Sequence, residues 1–227
     1  MLAAAAALSA SRPRSGAAAP QQQPARPAWN AEEVFSDLLA GNRRFTSGQR
    51  VTPRSRPEDF RTLAHGQFPQ AVIVSCSDSR VPPEILFDVG VGDLFVVRVA
   101  GNVIAGTGVA LKGSIEYAVA ELRVPLILVL GHTGCGAVKA AMQHIQDNDP
   151  LPGSINGLVD LIKPGVAKSK GLPGDPLDNA IRQNVESGVE TLCGLDPILA
   201  PRIKDGRLKV AGGVYDLATG AVTPIRH

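Results

Sequence analysis

Two short segments concentrate the residue types that bind metals and handle protons: Cys76-Ser77-Asp78-Ser79-Arg80 and Gly131-His132-Thr133-Gly134-Cys135-Gly136. Cys76, His132 and Cys135 make a Cys₂His set, which suits zinc and leaves the fourth tetrahedral position open to water or a substrate. His132 and Cys135 stand three apart across a glycine, close enough to grip one ion. A lone His-x-x-Cys is a weak signal, because buried thiols are common in ordinary cores. Here two of the three cysteines and a histidine fall where expected strands end, and coincidence is a poorer account of that. A closed structural site would need a fourth Cys or His. Cys193 falls in a late helix and reads as a core thiol, while His65, His144 and His227 lack any comparable context. Asp78 could occupy the open position itself or accept a hydrogen bond from water there, and Arg80 could hold it ionised with paired N–H donors. The same pair could also be a salt bridge that stabilises the turn. Zinc brings the pKa of bound water to roughly 7 where imidazoles hold it; two thiolates neutralise the ion, so activity favouring higher pH is expected.

Buried strands must position these segments. Ala71–Ser75, Leu94–Arg98 and Leu126–Leu130 are short, nearly continuous apolar runs, the pattern of strands covered on both faces. The first leads directly into Cys76 and the third into Gly131-His132, so both segments fall at strand carboxyl ends, where open α/β sheets gather ligands. Val34, Phe35, Leu38 and Leu39 recur at helical spacing before Gly41, which predicts an amphipathic helix over 31–40 with a glycine stop. Further helices are predicted near 57–63 and over 109–122, 134–146, 154–169 and 177–194. Two strands, 207–211 and 214–217, are predicted to pair around a Gly212-Gly213 turn. Alternating strands and helices give an α/β fold: a mostly parallel β-sheet flanked by helices, with an N-terminal helical arm, in a single domain over 31–227.

Composition narrows the functional classes. Among 227 residues, 23 Lys plus Arg face 21 Asp plus Glu, a near-balance that argues against a nucleic-acid binder. Three cysteines exclude a disulfide scaffold, and no apolar stretch reaches the roughly 18 residues that span a bilayer. Residues 1–30 differ from the rest: Ala, Pro and Gln dominate, which predicts a disordered tail. The apolar run Leu2–Leu8 followed by small residues also resembles the later part of a signal segment without its basic start. A truncated signal implies a periplasmic or secreted protein; otherwise the expectation is cytoplasmic.

The two chemistry-bearing segments resemble the zinc motifs of the β-class carbonic anhydrases. Gly41-Asn42-Arg43-Arg44-Phe45, Asp93–Arg98 with Gly101-Asn102, Ser114–Ala118 and Gly212–Asp216 extend the similarity, in order, over roughly Glu32 to Val222. The resemblance implies reversible hydration of carbon dioxide to bicarbonate and a proton by a zinc-bound hydroxide. Cys76, His132 and Cys135 would be the ligands to Zn²⁺, and Asp78 and Arg80 the catalytic dyad, with Asp78 a fourth ligand in the family's closed form. Gln67, Phe95, Tyr117 and Gly136 would bind substrate. The first three of these would reach the zinc of a neighbouring subunit, making a homodimer, extendable to a tetramer, the catalytic unit. The usual Arg-Asn-Val-Ala-Asn run is here Arg98-Val99-Ala100-Gly101-Asn102, which widens the pocket slightly. Hydrolysis of carbonyl sulfide or carbon disulfide is therefore an alternative, and a non-catalytic zinc or redox module is another. The only Trp, Trp29, precedes the first helix, which implies the plant-like, non-allosteric type.

Overall fold

The computed structural model describes residues 28–106, 108–147 and 149–225; the expectations for the first 27 residues and for His227 lie outside them. Five strands, β1 (Ala71–Ser75), β2 (Leu94–Arg98), β3 (Leu126–His132), β4 (Lys209–Tyr215) and β5 (Val222–Ile225), form one sheet in the order β2-β1-β3-β4-β5. The first four run parallel, and β5 runs antiparallel to β4. The helices are α1 (Ala31–Thr46), α2 (Phe60–Leu63), α3 (Pro83–Leu86), α4 (Gly108–Ala120), α5 (Gly136–Asp147), α6 (Ser154–Lys168), α7 (Pro176–Cys193) and α8 (Leu199–Lys204).

Every residue of β1 and β3 is buried, as central strands covered on both faces must be. The two-residue period of β1 sends Val72 and Val74 to one face, where they join Ile115 and Val119 of α4 and Val185, Val189 and Leu192 of α7. Ala71 and Ile73 join Val34 and Leu38 of α1 with Leu86 and Phe87 on the other. Each large aliphatic side chain fully buried this way contributes about 1.5–3 kcal/mol. A third apolar cluster draws α5, α6 and α7 together around Cys76 and Cys135. The chemistry-bearing loops thus rest on packed side chains.

Three expectations need correction. The first helix does not stop at Gly41 but runs to Thr46, capped at its start by Asn30, whose side chain accepts from the N–H groups of Glu32 and Glu33. Gly41 is a contact point instead: a Cβ there would stand 1.8 Å from the Phe87 carbonyl oxygen, so the small residue lets α1 lie against the backbone after α3. Gly212-Gly213 is not a turn between two strands. Both lie inside β4, in register with Val129 and Leu130 of β3, and the antiparallel partner is β5, which sequence patterning did not single out because Val222–Ile225 is short and contains Pro224. The third strand runs on to His132, because Gly131 and His132 pair with Val214 and Tyr215.

Candidate metal centre

The centre forms where two parallel strands end side by side. Cys76 immediately follows β1, and His132 closes β3, so the β1–β3 pairing through Ser75 and Leu130 brings both segments to one edge of the sheet. A turn through Gly134, at φ +65, then places Cys135 at the start of α5, where its carbonyl accepts the first helical bond from Lys139. The left-handed φ is one that glycine adopts without penalty. The ligand atoms of Cys76, His132 and Cys135 lie within 4.8 Å of one another, and all three residues are buried.

This donor set fits a metal ion. The Nδ1 of His132 lies 3.0 Å from the Thr133 carbonyl, so Nδ1–H donates there and the tautomer leaves Nε2 free to coordinate. That Nε2 is buried without a hydrogen-bond partner, a state that costs about 1–3 kcal/mol unless something occupies its lone pair. The Cys76 thiol is held well below the usual thiol range, chiefly by a hydrogen bond from Cys135; burial opposes this, and His132 and the N–H groups of Asp78 and Gly101 assist it. Cys135 is pushed up by the same contact and by its burial. The two sulfurs thus share one proton, which a cation would displace. Burial lowers the pKa of His132, but the Cys76 sulfur, the Thr133 carbonyl and the Asp78 carboxylate together more than offset this and leave it raised. Two soft sulfurs and an imidazole match zinc.

Asp78 stands at the mouth. Arg80 grips it with both arms, Nε to Oδ1 at 2.9 Å and Nη2 to Oδ2 at 2.7 Å, and the Arg80 backbone N–H adds a third bond to Oδ1. The Arg80 hydrogen bond is the main reason the carboxyl lies well below the usual carboxylate range. Asp78 Oδ2 is 3.9 Å from His132 Nε2, so the carboxylate overlooks the donor set while tied to arginine.

Of the other expected site residues, Gly136 is beside the cluster as the first residue of α5. Phe95 and Tyr117 stand together, ring centroids 6.4 Å apart, but Phe95 packs with the α4 and α7 cluster rather than the one around Cys76 and Cys135. Gln67 is exposed in the loop before β1. Within one chain these three are not gathered at the cluster.

Sequence reasoning missed Arg98 as a structural clamp. From the end of β2 it donates through Nε to the Cys76 carbonyl at 3.0 Å and through Nη2 to the Asp78 carbonyl, fixing the loop that carries ligand and dyad. Its position at a strand's carboxyl end was the available signal. Thr133 was missed too: its backbone N–H donates to Tyr215 O and its Oγ1 accepts from Leu217 N–H, anchoring the His132 turn to the end of β4.

Comparison with known proteins agrees with this geometry. The carbonic anhydrase family model matches residues 71–222. The chain is 40% identical over 194 residues to carbonic anhydrase 2 of Mycobacterium tuberculosis, covering 86% of this chain and 92% of the relative. It is 36% identical over 192 residues to a carbonic anhydrase of Pseudomonas aeruginosa, at 82% and 85% coverage. Among solved structures, a Coccomyxa β-carbonic anhydrase in complex with acetazolamide superposes with a TM-score of 0.65 at 29% identity, over 86% of this chain and 82% of that one. A tetrameric β-carbonic anhydrase of Sordaria macrospora gives 0.67 at 25% identity, over 86% and 98%. With the motifs, the sheet order and these likenesses in agreement, the chain belongs to the carbonic anhydrase family, in its β class.

Proposed function

We propose that the protein catalyses the zinc-dependent, reversible hydration of carbon dioxide to bicarbonate and a proton. The observation that carries this reading is the buried Cys76–His132–Cys135 set with its unpartnered imidazole nitrogen, opening beside an ionised Asp78. Cys76, His132 and Cys135 would hold the metal through two sulfurs and Nε2. When bound, zinc supplies the Lewis acidity that makes water a nucleophile near neutral pH. Asp78 cannot serve well as a proton sink, because Arg80 keeps it ionised. It is an acceptor, and it orients the attacking water by taking a hydrogen bond from it. Because Arg80 engages both carboxylate oxygens, the Asp78 side chain is tied to arginine and would be left to accept a hydrogen bond rather than to join the three donors.

Gln67, Phe95 and Tyr117 line the substrate side of a neighbouring copy's site in this reading, and a homodimer is the catalytic unit. Two features support it. β2 is an edge strand whose apolar residues Leu94–Val97 remain half-buried, and Tyr117 exposes 48% of its surface. An unpaired edge beside exposed aromatic surface is the arrangement a second chain covers.

Stopped-flow carbon dioxide hydration, run from mildly acidic to alkaline pH on protein of counted zinc content, tests the proposal. One zinc per chain with activity rising with pH is the expected result. One zinc per chain with no hydration at any pH refutes it, and hydrolysis of carbonyl sulfide or carbon disulfide is then the reaction to assay.

A further inference from the structure

Among the described residues of α7, Asn184 is the one buried polar residue. Asn184 is 5% exposed, and its Nδ2 donates to the Gly101 carbonyl at 2.7 Å. The N–H of that same glycine donates to Cys76 Sγ at 3.2 Å. Gly101 has φ +71 and ψ 15, and no side chain of its own to hold it there. Its surroundings explain the residue: a Cβ would stand 2.6 Å from Ile162 Cδ1 and 3.2 Å from Ala137 Cβ. The helices themselves are drawn close at this point, since a Cβ on Gly165 of α6 would lie 3.0 Å from Asn184 Cα. Asn184 is thus placed where α6 and α7 touch, with its amide aimed at the turn that touches the sulfur.

We propose that Asn184 is a positioning residue for the metal centre. By fixing the Gly101 carbonyl it restrains a residue that has no side chain to restrain it, and so keeps the Gly101 N–H on the Cys76 sulfur. An N–H on a coordinating sulfur withdraws charge from it and orients its lone pairs, and such outer partners typically change metal affinity or activity by roughly 10–100-fold. The proposal rests on Cys76 being a metal ligand, as proposed above. Asn184 touches neither substrate nor metal, and its effect passes wholly through the Gly101 peptide.

The test compares wild type with Asn184→Leu, which keeps the volume and removes the donor, and with Asn184→Ala, which removes the donor without demanding space. Val189→Ala, in the same helix but packed in the apolar cluster with Val72 and Val74 rather than in the one around Cys76 and Cys135, controls for general loosening of α7. Two readouts are taken: the sulfur-to-metal charge-transfer band of the cobalt(II)-loaded protein, and the rate at which a chelator removes zinc. In both Asn184 variants the band is expected to move to lower energy, and zinc to leave roughly 10-fold faster, with Val189→Ala matching wild type in both. Wild-type spectra and release rates in either folded Asn184 variant overturn the proposal, as does an equal change in Val189→Ala. A wild-type protein that takes up no cobalt or zinc overturns the metal centre itself and this proposal with it, an outcome distinct from the others.

Discussion

Asp78→Asn separates metal binding from turnover, because the three donor residues do not include it. Zinc content is expected to stay at the wild-type value while turnover falls by about 10–100-fold, the range for loss of an orienting partner; metal analysis beside stopped-flow rates checks this, and undiminished turnover would remove Asp78 from the reaction. Cys76→Ser and His132→Ala are expected to lose zinc and activity together, by more than that range, since each removes one of only three donors. This much was legible in the sequence, because Cys76, Asp78, Arg80, His132 and Cys135 are chemically conspicuous and sit beside strands that hydrophobicity alone locates. Arg98, Gly101 and Asn184 were not legible as parts of the centre. Arg98 and Asn184 act by side-chain donation to backbone carbonyls, and Gly101 through its own N–H; every residue offers such backbone groups, so residue types alone do not reveal which of them are met.

Among the elements, α1 shows how a packing contact reverses an intrinsic preference. Gly→Ala in a helix interior ordinarily stabilises by about 1 kcal/mol. At Gly41 the added methyl would meet the Phe87 carbonyl at 1.8 Å, and overpacking of that kind costs about 1–3 kcal/mol or more. Gly41→Ala is therefore expected to lower the midpoint of thermal unfolding, measured by circular dichroism; a raised midpoint would show that α1 shifts freely. The same contact explains why a glycine read as a helix stop was misjudged, since a stop and a close approach select the same residue. Asp88, just beyond α3, ties α1 to the following loop: it accepts from Arg44 Nε at 2.7 Å and from the N–H groups of Val51 and Thr52, both at 2.9 Å. Burial raises its pKa, but these bonds more than offset that and leave it below the usual carboxylate value. A carboxyl depressed in the folded state contributes stability above its unfolded pKa of about 4, which is lost as pH falls through the folded value. Asp88→Ala is expected to cost about 2–4 kcal/mol at neutral pH, through donors left unmatched. The gap between wild-type and variant unfolding midpoints should narrow below about pH 4, and a gap unchanged by acid would assign the loss to packing.

On the scale of the whole molecule, the parallel order was readable because β1 and β3 carry apolar runs too short for helices and too continuous for half-exposed strands. The C-terminal pairing was not, because Gly212-Gly213 has the composition of a turn and the pairing that extends it depends on β3, far earlier in the chain. The split of the proposed substrate pocket between subunits leads to a prediction of its own: specific activity should fall on dilution, in step with dissociation seen by analytical ultracentrifugation, and activity that persists in a monomer would contradict the shared site. The long-range bonds of α1 also bear on how the chain is made. Asn42 is buried and donates to the carbonyls of Leu86 and Gly220 while accepting from the N–H of Val222; two of those partners lie 178 and 180 residues further along. At ribosomal rates of roughly 5–20 residues per second, synthesis reaches them roughly 10–40 s after Asn42. For that interval Asn42 lacks two of its three partners, and the polar contacts open to α1 are those to Leu86 and Asp88, 44 residues beyond Asn42 and Arg44. The first of the described helices is thus among the last elements to gain all of its partners.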